Sequence, residues 1–135
     1  VAVYGGSVRA VLLVMAGGAA GALARYTVGL LFSQLRISPV WATLAVNVSG
    51  SFALGFLLAL LVSRSSTSGA LQLVAGVGFL GSFTTFSTVM GDTVSLVHEG
   101  LVGMAVVNLG ASLALGLAAA AMGFYAGRLV SPGLL

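Results

Sequence analysis

The 135-residue sequence contains no cysteine and no lysine, and it has only two acidic residues and one histidine. The missing cysteines exclude disulfides, thiolate metal sites and cysteine nucleophiles, and the scarcity of acids and histidine leaves too few groups for most catalytic sites. The net charge of +3 rests on five arginines that are spread along the chain. This spread provides no basic patch for a nucleic acid. We therefore predict neither an enzyme nor a nucleic-acid-binding protein.

Charged residues make up only 5% of the chain, whereas 59% of the residues are hydrophobic and the mean hydropathy is +1.20. A chain of this length cannot bury so much apolar surface in one small water-soluble core. A bilayer core of about 30 Å is crossed by about 20 helical residues, so the chain has room for about four spans. The sequence predicts an all-α integral membrane protein of the cell membrane, surrounded by lipid.

Four apolar runs are separated by short segments rich in charge, proline, serine or glycine. With such short connections, consecutive helices are antiparallel neighbours. Arg9, Arg64 and Arg128 fall on one side of the membrane and Arg36 on the other, which is a weak positive-inside bias compatible with either orientation. We predict a single membrane domain over residues 1–135, with spans at about 10–32, 40–62, 70–97 and 101–127.

Glycines recur at four-residue spacing in the first and last spans, at Gly17 and Gly21 and at Gly123 and Gly127. This spacing lets helix backbones approach closely in a membrane, where packing drives helix association. We interpret both pairs as close helix contacts.

The third span contains a polar segment, GFLGSFTTFSTVMGD, in which five of the seven residues from Ser82 to Thr88 carry hydroxyls. One isolated hydroxyl can bond back to the carbonyl one turn earlier and have no further role. Five hydroxyls beside Gly76, Gly78 and Gly81 instead favour a break in the helix, with freed backbone groups and side chains that line an ion path.

Further polar side chains lie in the second and fourth spans. Thr43, Asn47 and Ser51 recur every four residues and form one stripe on a helix, and Asn108 and Ser112 form a second, shorter stripe. Asn47 either lines a path or makes an ordinary hydrogen bond between two helices. The stripes indicate polar groups from several helices that converge on one path.

Arg25 is the one charge inside the first apolar run. Such a charge marks a functional site by default, although a long side chain near the end of a span can also reach the membrane interface. Hydroxyls, amides and arginine donate hydrogen bonds, and the positive ring edges of Phe83 and Phe86 add to this set. Without a ring of carboxylates to attract cations, this chemistry suits a small anion.

Four segments, GGAAGALARY, TLAVNVSGSFALG, GFLGSFTTFST and NLGASLALG, resemble those of the CrcB/Fluc family of small fluoride channels in sequence and order. The resemblance covers all four spans, and the TTFST block together with Asn47 is its most specific part. It implies a fluoride-selective ion channel that lets fluoride leave the cytoplasm passively. It also implies a dual-topology dimer of antiparallel subunits, with a broken third helix and two fluoride pathways along the interface.

The resemblance also implies roles for individual residues. A structural sodium ion at the dimer centre would be bound by the backbone carbonyls of Gly81 and Thr84. Arg25 matches the family's arginine in the first span, with a structural or electrostatic role. The residues that match the family's fluoride pathway are Asn47, Phe86, Ser87, Thr88 and Ser112.

One position departs from the family's pattern, which usually continues TTFSTF and so includes a second phenylalanine. Val89 stands at that position and has no ring edge to offer to fluoride. Either one pathway of this subunit is degenerate, or the channel tolerates the loss, or the chain pairs with a different homologous subunit that supplies the second ring. A homodimer and a heterodimer are therefore both open.

Two other functions compete with a channel. A small multidrug-type transporter also has four spans and dual topology, but it needs a buried carboxylate for proton exchange, and the first span holds Arg25 and no acid. The other competitor is a non-conducting structural subunit of a membrane complex, which Val89 supports.

Overall fold

The computed structural model describes residues 7–63 and 69–130, and all regular structure in these ranges is helical. Four stretches are long and apolar enough to cross a membrane: Val8–Gln34, Pro39–Val62, Gly69–His98 and Val102–Val130. They begin and end within three residues of the predicted spans. The prediction of an all-α protein with four spans is confirmed, and the chain is a multi-pass membrane protein. Arg64, which contributed to the predicted bias in orientation, lies outside the described residues.

The described helices are, in chain order, α1 (Val8–Gln34), α2 (Pro39–Ser63), α3 (Gly69–Leu71), the π-helix π1 (Gln72–Leu80), α4 (Gly81–Phe83), α5 (Phe86–His98) and α6 (Val102–Val130). The third span therefore consists of several helical pieces. Thr84 and Thr85, between α4 and α5, have extended backbone with ψ of 154° and 114°. Gly76 and Gly78 lie earlier, within π1, so these glycines accompany a change in the type of helix and not its end.

Two helices end with the same turn of the backbone. Arg36 after α1 and Gly100 after α5 both have positive φ, at 56° and 79°. The next residues, Ile37 and Leu101, each donate their N–H to a carbonyl five positions earlier, over 2.9 and 2.8 Å. This is the Schellman arrangement, which satisfies carbonyls that a helix end leaves free. The chain thus passes through short connections from α1 into α2 and from α5 into α6.

The helices pack as two principal pairs, α2 along α6 and α1 along π1. A Cβ on Gly17, Gly21 or Gly123 would overlap a backbone carbonyl of the facing helix. A Cβ on Gly127 would come within 2.7 Å of the Ala59 Cβ. The close contacts predicted for the two glycine pairs are confirmed, because a side chain at these positions would force the paired helices apart.

Candidate functional site

The candidate site is built around the two extended residues, Thr84 and Thr85. Asn47 of α2 binds both backbone groups of Thr85: its Oδ1 accepts a hydrogen bond from the Thr85 N–H over 2.8 Å, and its Nδ2 donates to the Thr85 carbonyl over 3.0 Å. In a continuous α-helix this N–H would donate to the carbonyl of Gly81. The carboxamide of Asn47 therefore replaces helical hydrogen bonding at this point.

A second residue of α2 lets that helix approach the extended segment. Gly50, one turn after Asn47, is buried, and a Cβ there would overlap the Cγ2 atom of Thr84. Asn47 and Gly50 lie three positions apart and so share one face of α2. The sequence VNVSG thus brings a hydrogen-bonding group and a close backbone contact to the same place.

The hydroxyls of the third span fall into two groups. Thr84 Oγ1 donates back to the Leu80 carbonyl over 2.8 Å, as an isolated hydroxyl in a helix does. Thr85 Oγ1 instead caps α5, where it accepts a hydrogen bond from the Thr88 N–H over 3.2 Å. It also lies 3.1 Å from the Ser87 hydroxyl and 3.0 Å from the Thr88 hydroxyl. Ser87 and Thr88 are exposed on the single chain, so their hydroxyls are accessible.

A cavity of about 420 Å³ lies between α2, α5 and α6, next to the extended residues. Four of the residues that the resemblance places on or beside the fluoride pathway line it: Asn47, Phe86, Val89 and Ser112. None of the described residues in its lining carries a carboxylate. The remaining polar lining comes from Ser51, Thr84 and Thr85.

Thr85 also lines a second cavity, of about 190 Å³, between α1, α2 and α5. Arg25 and Thr88 line this smaller cavity together with Thr43. The Thr43 hydroxyl lies 2.9 Å from Asp92 Oδ2 and 3.2 Å from its own helix at the Pro39 carbonyl. The smaller cavity is therefore lined by an arginine and by residues with hydroxyls, and one of these hydroxyls, that of Thr43, is hydrogen-bonded to the Asp92 carboxylate.

The predicted pathway residues are thus divided between two cavities, and Thr85 lines both of them. Asn47 and Ser112 line the larger cavity, Thr88 lines the smaller one, and Ser87 is in neither lining. Gly81, the first of the two residues whose carbonyls the resemblance assigns to sodium, is exposed. Thr84, the second, is half-buried and lines the larger cavity.

The two positions of the family's phenylalanine pair differ strongly in exposure. Phe86 is 69% exposed on the single chain, whereas Val89 is 3% exposed. Phe83, which the sequence analysis grouped with Phe86, stacks on Phe79 with ring centroids 5.6 Å apart and is absent from the described lining of both cavities. Phe86 is therefore the aromatic ring that the described chain offers to the larger cavity.

Asn108 holds α5 against α6, a role that the polar stripe alone did not reveal. The side chain is 4% exposed, and its Nδ2 donates to the Val89 carbonyl over 3.2 Å and lies 2.8 Å from Thr93 Oγ1. Among the described residues, Asn108 Oδ1 and Ser112 Oγ are buried side-chain atoms without a hydrogen-bond partner. Buried polar atoms normally have a partner, so these two oxygens remain available to accept a hydrogen bond from a group outside the described chain.

Comparison with known proteins identifies the family. Residues 12–124 match the family described as CrcB-like protein, Camphor Resistance (CrcB). The fluoride-specific ion channel FluC of Gloeobacter violaceus is 46% identical over 123 residues, which cover 90% of this chain and 98% of the relative. FluC of Acidobacterium capsulatum is 42% identical over 118 residues, covering 87% and 94%. The fluoride-specific ion channel FluC 2 of Symbiobacterium thermophilum is 45% identical over 111 residues, covering 82% and 90%. The chain belongs to the CrcB family.

Proposed function

We propose that the chain is a subunit of a fluoride-selective ion channel that lets fluoride leave the cytoplasm passively. Similar proteins are named fluoride-specific ion channels, and the larger cavity is the observation in this chain that supports the proposal most directly. Asn47, Ser51 and Ser112 line it with amide and hydroxyl groups, and Phe86 adds an aromatic ring. Donors and positive ring edges attract a small anion, and the described lining contains no carboxylate to repel it.

The smaller cavity extends this chemistry toward α1. Arg25 brings a positive charge to it, and Thr88 brings a hydroxyl of the TTFST block. Because the two cavities share Thr85, an anion drawn by the guanidinium would meet the hydroxyl cluster at the start of α5 next. Arg25 thus acts in our proposal as an electrostatic attractant near the pathway.

The functional assembly in this proposal is a dual-topology dimer of antiparallel subunits. Phe86, Ser87 and Thr88 are exposed on the single chain, although they follow the extended segment within the membrane span. Hydroxyls and irregular backbone at membrane depth require cover from protein or a water-filled cavity. A second subunit over this face would supply that cover and would complete two pathways along the interface.

The extended segment at Thr84 and Thr85 is, in this proposal, the break at which a structural sodium ion binds. The donor chemistry fits, because unwound backbone carbonyls in broken membrane helices coordinate sodium. α4 ends at Phe83, and the Thr85 N–H bonds to Asn47 and so does not engage the Gly81 carbonyl. The carbonyls of Gly81 and Thr84 from both subunits would hold the ion, which would supply positive charge at the dimer centre.

Efflux from liposomes tests the proposed function. The purified chain is reconstituted into liposomes loaded with potassium fluoride, a potassium ionophore is added, and released fluoride is followed with an electrode. We expect rapid fluoride release, and no chloride release from liposomes loaded with potassium chloride. Equal release of both anions would contradict a fluoride-selective channel.

A non-conducting or partner-dependent subunit is the second candidate, and Val89 is the observation that favours it. Val89 stands at the position of the family's second phenylalanine, where it is buried and lines the cavity without an aromatic ring. A homologous subunit in a heterodimer could supply that ring. No efflux from the chain alone, together with efflux after co-reconstitution with a homologous subunit, would support this candidate over the homodimer.

A further inference from the structure

We infer that Asn47 is a positioning residue of the pathway: it holds the third span open at Thr85 and thereby frees the Gly81 carbonyl for a cation. This inference rests on the proposed channel with its sodium site. It adds to the role that the resemblance implies, in which the Asn47 side chain lines the fluoride pathway itself.

The hydrogen bonds of Asn47 fix its side chain against the backbone of the third span. The Oδ1 atom accepts from the Thr85 N–H over 2.8 Å, and the Nδ2 atom donates to the Thr85 carbonyl over 3.0 Å. Both ends of the carboxamide are thus engaged with the backbone of one residue, which is itself 9% exposed. A side chain held in this way has its orientation fixed by the backbone and has only one N–H left for any other partner.

Thr84, the residue before Thr85, keeps the hydrogen bonding of a helix. Thr84 still donates its N–H to the Leu80 carbonyl over 3.1 Å, which is the bond of a regular α-helix. The next bond of that series would join the Thr85 N–H to the Gly81 carbonyl. Asn47 accepts this hydrogen bond instead, at the point where the backbone of Thr84 and Thr85 becomes extended.

Loss of the Asn47 side chain would affect both the cation site and the pathway. Removing the carboxamide leaves the Thr85 N–H buried without a partner, and the nearest alternative acceptor in helical geometry is the Gly81 carbonyl. A carbonyl that accepts this bond is less available to a cation. The helical backbone would also turn Phe86, the next residue, away from its present direction.

Sodium-dependent stability of the purified protein tests the inference. Thermal unfolding is followed while sodium replaces potassium at constant ionic strength, which gives the sodium concentration for half of the stabilisation. We expect Asn47→Ala to raise this concentration roughly tenfold, as the loss of about one hydrogen bond's net contribution predicts. A residue that only supported the fold would lower the unfolding temperature in both salts and leave this concentration unchanged.

Two matched variants serve as controls, and both are expected to leave the sodium midpoint unchanged. Ser49→Ala alters the same helix at an exposed hydroxyl that bonds to its own helix at the Ala45 carbonyl. Ser112→Ala alters the same cavity at a side chain that faces the proposed anion path. Amide hydrogen exchange gives a readout without sodium: the Thr85 N–H stays protected in Asn47→Ala, because it then bonds to the Gly81 carbonyl, and full loss of its protection would show that this bond does not form.

Each outcome decides the inference. An unchanged sodium midpoint in Asn47→Ala overturns it, and so does a wild-type protein that conducts fluoride without any sodium-specific stabilisation. A raised midpoint in a chain that releases no fluoride supports the role of Asn47 while the proposed channel fails. If Asn47→Ala does not fold, Asn47→Asp decides. This variant keeps an acceptor for the Thr85 N–H, so its midpoint stays within about threefold of wild type, and a larger increase overturns the inference.

Discussion

At the scale of single residues, Val89 lies at the wall of the candidate pathway. Its side chain is 3% exposed and lines the same cavity as Phe86, and its carbonyl accepts a hydrogen bond from Asn108. The backbone at this position is therefore fixed, and the difference from the family's pattern concerns the side chain alone. A phenylalanine here would present a positive ring edge to an anion, which valine cannot do.

We expect Val89→Phe to raise the fluoride efflux rate of the reconstituted chain about fivefold, equivalent to lowering the barrier by about 1 kcal/mol. Val89→Leu is the matched control, because it adds volume to the cavity without a ring. Both rates are measured with a fluoride electrode at equal protein content. The same gain in both variants would show that filling the cavity, and not the ring edge, causes the effect.

The sequence identified Asn47 as important but could not decide what it binds. A polar residue in an apolar run predicts a partner, and a backbone N–H, a carbonyl and an anion all satisfy that requirement. The choice depends on the extended backbone of Thr85, which lies in a different span from Asn47 and is in direct contact with it. Asn108 was equally visible in the sequence, yet its bond to the Val89 carbonyl depends on how α5 docks on α6.

At the scale of elements, the packing of α2 on α6 depends on glycines that touch backbone atoms. A Cβ on Gly123 of α6 would overlap the Phe52 carbonyl, and a Cβ on Gly55 of α2 would overlap the Ala120 carbonyl. The contact is reciprocal, because each helix places a glycine against a carbonyl of the other. Backbone carbonyls within helices cannot move aside independently, so this interface has little tolerance for added volume.

We expect Gly123→Ala to destabilise the protein by about 2 kcal/mol, because the added methyl must push α2 and α6 apart. Gly110→Ala in the same helix is the matched control. Gly110 is exposed with open space around its Cβ position, so the change is expected to stabilise the helix by about 0.5–1 kcal/mol. Thermal unfolding in detergent measures both changes, and similar shifts for the two variants would contradict this account of the packing.

The ends of the spans were predictable from sequence, whereas the shape of the third span was only partly so. Hydropathy and polar connections fix where a helix leaves the membrane, and the spans accordingly begin and end within three residues of prediction. The π-helix π1 was not predicted. It packs along α1, where Gly17 and Gly78 each lie against backbone of the other helix. Such a contact is tertiary, so local propensity does not show it.

At the scale of the whole molecule, the absence of cysteine makes orientation in the membrane directly measurable. His98→Cys places a single thiol at an exposed residue at the end of α5. In a dual-topology dimer we expect about half of the molecules in intact cells to react with a membrane-impermeant maleimide, because the weak arginine bias allows both orientations. Complete labelling after permeabilisation is the control.

Labelling of all or of none of the molecules in intact cells would show one fixed orientation. A homodimer with antiparallel subunits would then be impossible, and the heterodimer with an oppositely oriented homologous subunit would be the assembly that remains. The number of chains per particle, measured by light scattering in detergent, distinguishes a dimer from the single chain in the same preparation.

The two halves of the third span pack on different helices. Before the extended residues it packs on α1 through π1 and α4, and after them it packs on α6 through α5. Any tilt of one helix pair relative to the other must therefore bend the chain at Thr84 and Thr85, which also line the larger cavity. Bilayer thickness changes the tilt of membrane helices. The residues between the two helix pairs and part of the wall of the larger cavity are thus the same, so a change of tilt would change the shape of this cavity.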